Sequence, residues 1–261
     1  MMKKAKIIVN RKKPNARKNL RLAEQALRAK GFDISERPDF IIALGGDGTL
    51  LAAANSYGRK GIPILGVNIG GLGFLTNVTF RELPKTLVEI LEKKFTIENR
   101  MVMKAVFDRK VFYALNDFTI STRAPGRVVE FSAVINKEYV CRFIADGIIV
   151  ATPTGSTAYS LATGGPILLP ETEAIIMTPI APHTLSVRPL VLPASHKIEV
   201  QIGKKGSAVL VADGQRCQLM RRNHSIYFEK ADYHVKLLKP LHTTFFSTLR
   251  EKMQWGGRED A

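Results

Sequence analysis

One aspartate sits in surroundings suited to chemistry: Asp47, inside Gly45-Gly46-Asp47-Gly48 in the stretch IIALGGDGTLL. Glycines on both sides let the backbone take positive φ and pass close to a ligand, and the N–H groups opening the next helix favour a bound phosphate. A carboxylate repels phosphate, so its presence there points to a chemical role, either accepting the proton of an attacking hydroxyl or holding a metal ion. The plain alternative is a helix cap after a glycine turn, and the four residues by themselves leave both readings open.

Three more segments carry candidate groups. In ALNDFTI, Asn116 offers a donor and an acceptor to a base or ribose, and Asp117 can accept from ribose hydroxyls; as a bare dipeptide the pair is also an ordinary turn. ADGIIVATPTGSTAYSLATGGP, from Ala145 to Pro166, crowds small and hydroxyl residues around Tyr159, whose ring can stack on a purine, against the alternative of an exposed loop with a core tyrosine. ADGQ, Ala212 to Gln215, repeats the Asp-Gly pair and predicts a hairpin.

These groups need elements to position them. KIIVN at Lys6–Asn10 reads as a short buried strand, and Ala16, Leu20, Ala23 and Leu27 recur at helical spacing before Gly31. Little room for another strand remains between Gly31 and Asp39. The apolar run Phe40–Leu44 and the segment Thr49–Tyr57 make the Gly-Gly-Asp-Gly loop a strand-to-helix turn. IPILGV at Ile62–Val67 is a further strand, followed at once by a second glycine-rich turn, NIGGLGFLT, and by a helix over Arg81–Lys94. Strands alternating with helices predict a parallel, three-layer, Rossmann-like α/β domain over residues 1–95, with ligands at the carboxyl ends of its strands. From 96 to 238 the pattern changes to short β-branched and aromatic runs such as Val128–Ile135, Lys197–Ile202 and Ser207–Val211, which predict an all-β, sandwich-like domain. Residues 239–261 then form a terminal segment whose helix, within Leu241–Trp255, is expected to return to the first domain.

Composition bounds the rest. The 261 residues are 45% hydrophobic and 24% charged, ordinary for a globular chain. Cys141 and Cys217 have no metal-ligand or CxxC spacing, so the sequence predicts neither a disulfide framework nor a zinc site. No secretory core or bilayer-length apolar run is found, which predicts a cytoplasmic protein without a membrane. The net charge of +16 is scattered and not interleaved with aromatics; it predicts attraction for anionic ligands such as nucleotides and argues against nucleic-acid binding.

The strings GGDGTLL, NIGGLGFLT, ALND, DGIIVATPTGSTAYSLATGGPI, TPIAPHTLSVRPLVLP, the DGQ turn and FFSTLREKMQW, in this order from Asp39 to Trp255, resemble the NAD kinase family of the diacylglycerol kinase and phosphofructokinase-like superfamily. The resemblance implies transfer of the γ-phosphoryl group of ATP, or of one from polyphosphate, to the 2′-hydroxyl of the adenosine ribose of NAD. It implies Asp47 as the general base on that hydroxyl, with Gly46 and Gly48 against the substrate. Asn116 and Asp117 match the pair that holds ribose and neighbouring groups. Asp146, Thr157, Ala158, Tyr159, Ser160, Leu161, Ala162 and Gln215 match nucleotide contacts, with Tyr159 beside adenine, and Arg127 falls where a basic or histidine contact is common. Ile144 departs from the family, standing where many relatives carry arginine or lysine. Magnesium or another divalent ion is expected on the nucleotide phosphates rather than in a protein cage. The implied partners are NAD, ATP and further copies of the chain, a homodimer or homotetramer with the site at a subunit interface. A binding protein without catalysis, and a lipid or sugar kinase of the same superfamily, are the rival readings.

Overall fold

The computed structural model describes residues 2–11, 15–71, 73–122, 128–184, 186–203, 207–221 and 224–255. The chain divides into two compact units, Met1–Asn99 with His234–Ala261, and Arg100–Tyr233.

The first unit opens with β1 (Lys4–Val9), α1 (Ala16–Ala29), β2 (Asp33–Ile34), β3 (Phe40–Leu44), α2 (Asp47–Tyr57), β4 (Ile64–Asn68), β5 (Val78–Thr79) and α3 (Leu83–Leu91). β2, β1, β3 and β4 lie side by side and parallel. β3 is buried along its whole length because both of its faces are covered, the reason a parallel strand is apolar throughout. On one face Phe40, Ile42, Leu44, Leu65 and Val67 pack with Ala23 and Leu27 of α1 and with Leu83, Leu87 and Ile90 of α3. On the other face Ala43 pairs with Gly66, and a side chain at Gly66 would meet Leu50 of α2. Helix, sheet, helix is the three-layer arrangement. α2 begins at Asp47, two residues earlier than the sequence predicts, so the aspartate lies within the helix rather than in the loop before it. The space between Gly31 and Asp39 holds the two-residue β2, a strand so short that no periodicity announces it.

Next come β6 (Phe95–Phe107), β7 (Lys110–Ala114), β8 (Asp117–Thr122), β9 (Val129–Ile135), β10 (Glu138–Ala145), β11 (Gly147–Ala151), the one-turn α4 (Tyr159–Ala162), β12 (Ala174–Ile180), β13 (Leu190–Pro193), β14 (Ile198–Ile202), β15 (Ser207–Ala212) and β16 (Arg216–Arg221). β17 (Ser225–Pro240) carries the chain back into the first unit, where α5 (Phe245–Met253) completes it.

In the second unit one antiparallel sheet runs β13-β12-β11-β8-β15-β16, and β10-β9-β14-β17 form the facing one. Alternation sets which side chains turn inward: Val129, Phe131, Ala133 and Ile135 of β9 are buried while the residues between them are half-exposed. They meet Phe118, Ile120, Ile148 and Val150 in one core, with the rings of Phe118 and Phe228 inclined at 50° and 5.5 Å apart between centroids. β11 is buried on both faces because Leu168 covers Ile149, Ala151 and Ile176 from outside. Among the described residues no helix is long and apolar enough to cross a membrane.

Candidate active site

Asp47 and Asp213 do the same thing in different units: each carboxylate gathers three consecutive backbone N–H groups of a segment far away in sequence. A concave run of backbone amides is a binding place for an anion, and here a side chain fills it.

In the first unit Gly46 is the N-cap of α2 and Asp47 the first helical residue, where the helix dipole favours a negative side chain. The carboxylate accepts from Phe74 N (2.9 Å), Leu75 N (3.1 Å), Thr76 N (3.0 Å) and Thr76 Oγ1 (2.9 Å). Thr76 Oγ1 in turn accepts from Asn68 Nδ2 at 2.9 Å, which fixes the threonine as donor to Asp47. The second glycine turn is thus tied to the first through Asp47, a job other than capping. Gly73 is required for the approach, since a Cβ there would collide with the Asp47 carboxylate and with Thr76 Oγ1. Three of the four bonds fall on Oδ1 and one on Oδ2. An ionised carboxylate has about four lone-pair positions, two on each oxygen, so Oδ2 keeps one to offer a hydroxyl. Gly46 and Gly48 are exposed beside it.

In the second unit the hairpin turn between β15 and β16 carries Asp213 and Gly214, both at positive φ as a primed turn requires. Asp213 accepts from Asn116 N at 2.7 Å, Leu115 N at 3.0 Å and Asp117 N at 3.3 Å. From the other side Thr152 N donates to Asn116 O at 2.8 Å, and Thr152 Oγ1 to Leu115 O at 2.5 Å. The backbone at Gly155 lies so close that a Cβ would overlap the Asn116 backbone. The Asn116-Asp117 segment is therefore clamped, and Asn116 Oδ1 is left buried without a hydrogen-bond partner among the described residues. An amide oxygen in that condition needs a donor from elsewhere, and a ligand hydroxyl or amine is one. Asp117 is 6% exposed; burial, and then the charge of Asp213, push its carboxyl up to about 7, with Thr119 Oγ1 at 3.5 Å opposing the shift.

The segment after this clamp is a short 3-10 turn, Thr154–Thr157, running into α4. Thr157 and Ala158 are half-buried, and Leu161 and Ala162 of α4 are half-buried and exposed. Tyr159 is 47% exposed, with its ring presented at the surface rather than in the core. Ser160 is fully buried and shares a hydrogen bond with Thr178 Oγ1 at 2.9 Å, so its hydroxyl fastens α4 to β12. Gln215 is exposed on the hairpin turn beside Asp213. Arg127 lies outside the described residues.

Asp146 is not brought to this cluster within one chain. It precedes β11, where its carbonyl accepts from Thr122 N, whereas Ala151 at the other end of β11 pairs with Asp117. Five residues of extended chain are roughly 17 Å. Ile144 is exposed on β10, two residues before Asp146.

Asp213, Thr152, Asn68 and Thr76 belong to the site geometry without having been singled out from the sequence. The signal for Asp213 was a second Asp-Gly pair directly after a strand, legible as a hairpin and nothing more. Among the described residues no three His, Cys, Asp or Glu side chains gather as metal ligands.

Comparison with known proteins follows the same division of the chain. Residues 6–95 match the family described as ATP-NAD kinase N-terminal domain, and residues 115–240 match the ATP-NAD kinase C-terminal domain. An NAD kinase of Koribacter versatilis strain Ellin345 is 43% identical over 228 residues, covering 85% of this chain and 80% of that protein. An NAD kinase of Bacteroides fragilis strain YCH46 is 41% identical over 222 residues, covering 84% and 77%. Among solved structures, yeast NADH kinase complexed with NADH superposes with a TM-score of 0.90 at 25% identity, over 98% of this chain and 89% of that one. An NAD kinase from Archaeoglobus fulgidus in complex with ATP gives 0.82 at 29% identity, over 97% and 100%.

Proposed function

This chain belongs to the NAD kinase family, and we propose from that premise that it phosphorylates the 2′-hydroxyl of the adenosine ribose of NAD to NADP, with ATP as donor of the γ-phosphoryl group. The observation that carries the reading at the level of residues is Asp47: a carboxylate among glycines, oriented by four hydrogen bonds, with one acceptor position left on Oδ2. A ribose hydroxyl is a weak nucleophile at neutral pH. A carboxylate that accepts its proton as the bond to phosphorus forms lowers that barrier, an effect worth about 10²–10⁴ in rate. Gly46 and Gly48 leave the approach to Oδ2 uncrowded, since a Cβ at either would meet nothing within 4 Å.

On the acceptor side Asn116 offers its unpartnered Oδ1 to a hydroxyl of NAD, Tyr159 offers a ring face to adenine, and Thr157, Ala158, Leu161 and Ala162 line the nucleotide, while the buried Ser160 holds their turn in place. A divalent ion is expected to arrive on the nucleotide phosphates and keep part of its water. That ion supplies charge neutralisation on the transferred group. The placement of Asp146 favours a site completed by a second copy of the chain, because one chain separates it from Asn116 by the length of β11.

The test is NADP formation from NAD, ATP and magnesium by the purified protein beside Asp47→Asn, an isosteric change that can keep the three bonds accepted on Oδ1, turns an NH2 toward Phe74 N–H, and removes the base. The expected result is a fall in kcat of about 10²–10⁴ with NAD binding retained. Retained turnover in Asp47→Asn removes the base; no product with either ATP or polyphosphate removes the kinase.

A further inference from the structure

The second unit has a cavity of about 480 Å³ whose lining includes none of the residues placed in the candidate active site. It opens where β10 ends one sheet and β13 ends the other. Phe143, Ile148 and Met177, all core residues, form its floor; Val140, Val187 and Leu190 form its walls. β10 is irregular there: its register with β9 shifts between Tyr139 and Cys141, leaving Val140 as the extra residue. Consecutive residues of a flat strand point to opposite faces, yet Val140 and Cys141 both line the cavity, and an edge bulge is the device that re-aims side chains in this way. Val140 is 40% exposed there, and Leu190 of β13 is 38% exposed.

The charged side chains at the cavity are of one sign. Arg142 and Arg188 line it, both exposed, beside the neutral Thr184 and Ser186, and among the described residues no Asp or Glu does. Arg188 Nη1 donates to Val187 O at 3.0 Å, which holds that guanidinium at the rim. Its volume and mostly apolar lining, with a few placed polar groups, fit a small-molecule site. A planar guanidinium matches a carboxylate with two parallel hydrogen bonds.

We propose that this cavity binds a small molecule with an apolar body and a single carboxylate, of the size of a medium-chain fatty acid, with the chain over Phe143, Ile148 and Met177 and the carboxylate at Arg142 and Arg188. The proposal stands apart from the kinase assignment and does not depend on it. Cys141 reports on it directly. The thiol is half-buried in the cavity wall, and burial raises its pKa, so it reacts slowly and a ligand above it slows it further.

The experiment uses the full chain with Cys217→Ser, which leaves Cys141 as the one thiol, and follows its labelling by N-ethylmaleimide with decanoate, decanol or butyrate present. Decanoate is expected to slow labelling strongly. Decanol should need about tenfold more for the same protection, the worth of a charge-assisted hydrogen bond, and butyrate should have no effect. Arg142→Gln with Arg188→Gln, both surface changes, should raise the half-protecting decanoate concentration about tenfold and leave decanol unchanged. Calorimetric titration of the unmodified protein with decanoate should show one site per chain. Equal protection by decanoate and decanol, or no protection and no heat, overturns the proposal. So does labelling that slows with protein concentration alone, which would mean that a second copy covers the cavity.

Discussion

Two aspartates in Asp-Gly pairs hold the loops of the candidate site, and a third stores a pH dependence. Asp47 and Asp213 each satisfy three consecutive amides that would otherwise be left without partners, so each positions a loop as well as itself. Asp117 bears the cost of that arrangement: it is buried beside Asp213, and its carboxyl is raised from 3.8 to about 7. Below 3.8 the folded and unfolded chains both hold the proton; between 3.8 and about 7 only the folded chain does; above that range the folded state carries a buried anion. The linkage relation then makes stability fall as pH rises through this window. Asp117→Asn is neutral throughout, so its urea-unfolding free energy should gain on that of the parent by a few kcal/mol, on the order of the shift, between about pH 4 and pH 8. Parallel curves for the two proteins would show that Asp117 ionises normally.

At the scale of elements, contact between two loops is what makes the Asn116 segment rigid. The turn at Thr154–Thr157 presses its backbone on that of Asn116, and only a glycine at 155 permits it. Gly155→Ala has no flexible side chain to push aside, so it should cost more than about 2 kcal/mol of stability and weaken NAD binding together. Gly164→Ala is the comparison: Gly164 has φ of +87° and open space around it, so the expected cost is the strain of positive φ alone, about 1 kcal/mol. Equal losses in the two variants, measured by thermal and urea unfolding, would mean that the loop contact is not tight. The strand-to-helix unit at Asp47 and the alternating strands of the second unit were legible in the sequence because periodicity and glycine placement are local properties. β2, two residues long, and the start of α2 at Asp47 were not, because hydrogen bonding to β1 and to the loop at 74–76 decides them.

For the whole molecule, the position of Asp146 sets a question of assembly. If a second copy completes each site, Asp47→Asn and Asp146→Ala should each be nearly inactive alone, yet regain activity when assembled together. In a mixed dimer one of the two sites has both defects and the other has neither; with half the dimers mixed, about a quarter of the parent activity should return. NADP formation after co-expression measures this. If both residues serve the site of their own chain, every site keeps one defect and no activity returns.

The sequence by itself determined the order of the motifs, the strand-loop-helix around Asp47, the change from alternating helices and strands to β-structure, and through these the family. Each is carried by residue type and short-range spacing. Only the tertiary structure decided what the carboxylates hold, which amide oxygen is left waiting, and that Asp146 stands at the far end of β11. Asp47 meets the amides of residues 27 to 29 positions away, and Asp213 meets those 96 to 98 positions away. Those partners are backbone N–H groups, which every residue except proline carries alike, so no pattern of side chains marks them before the chain has folded.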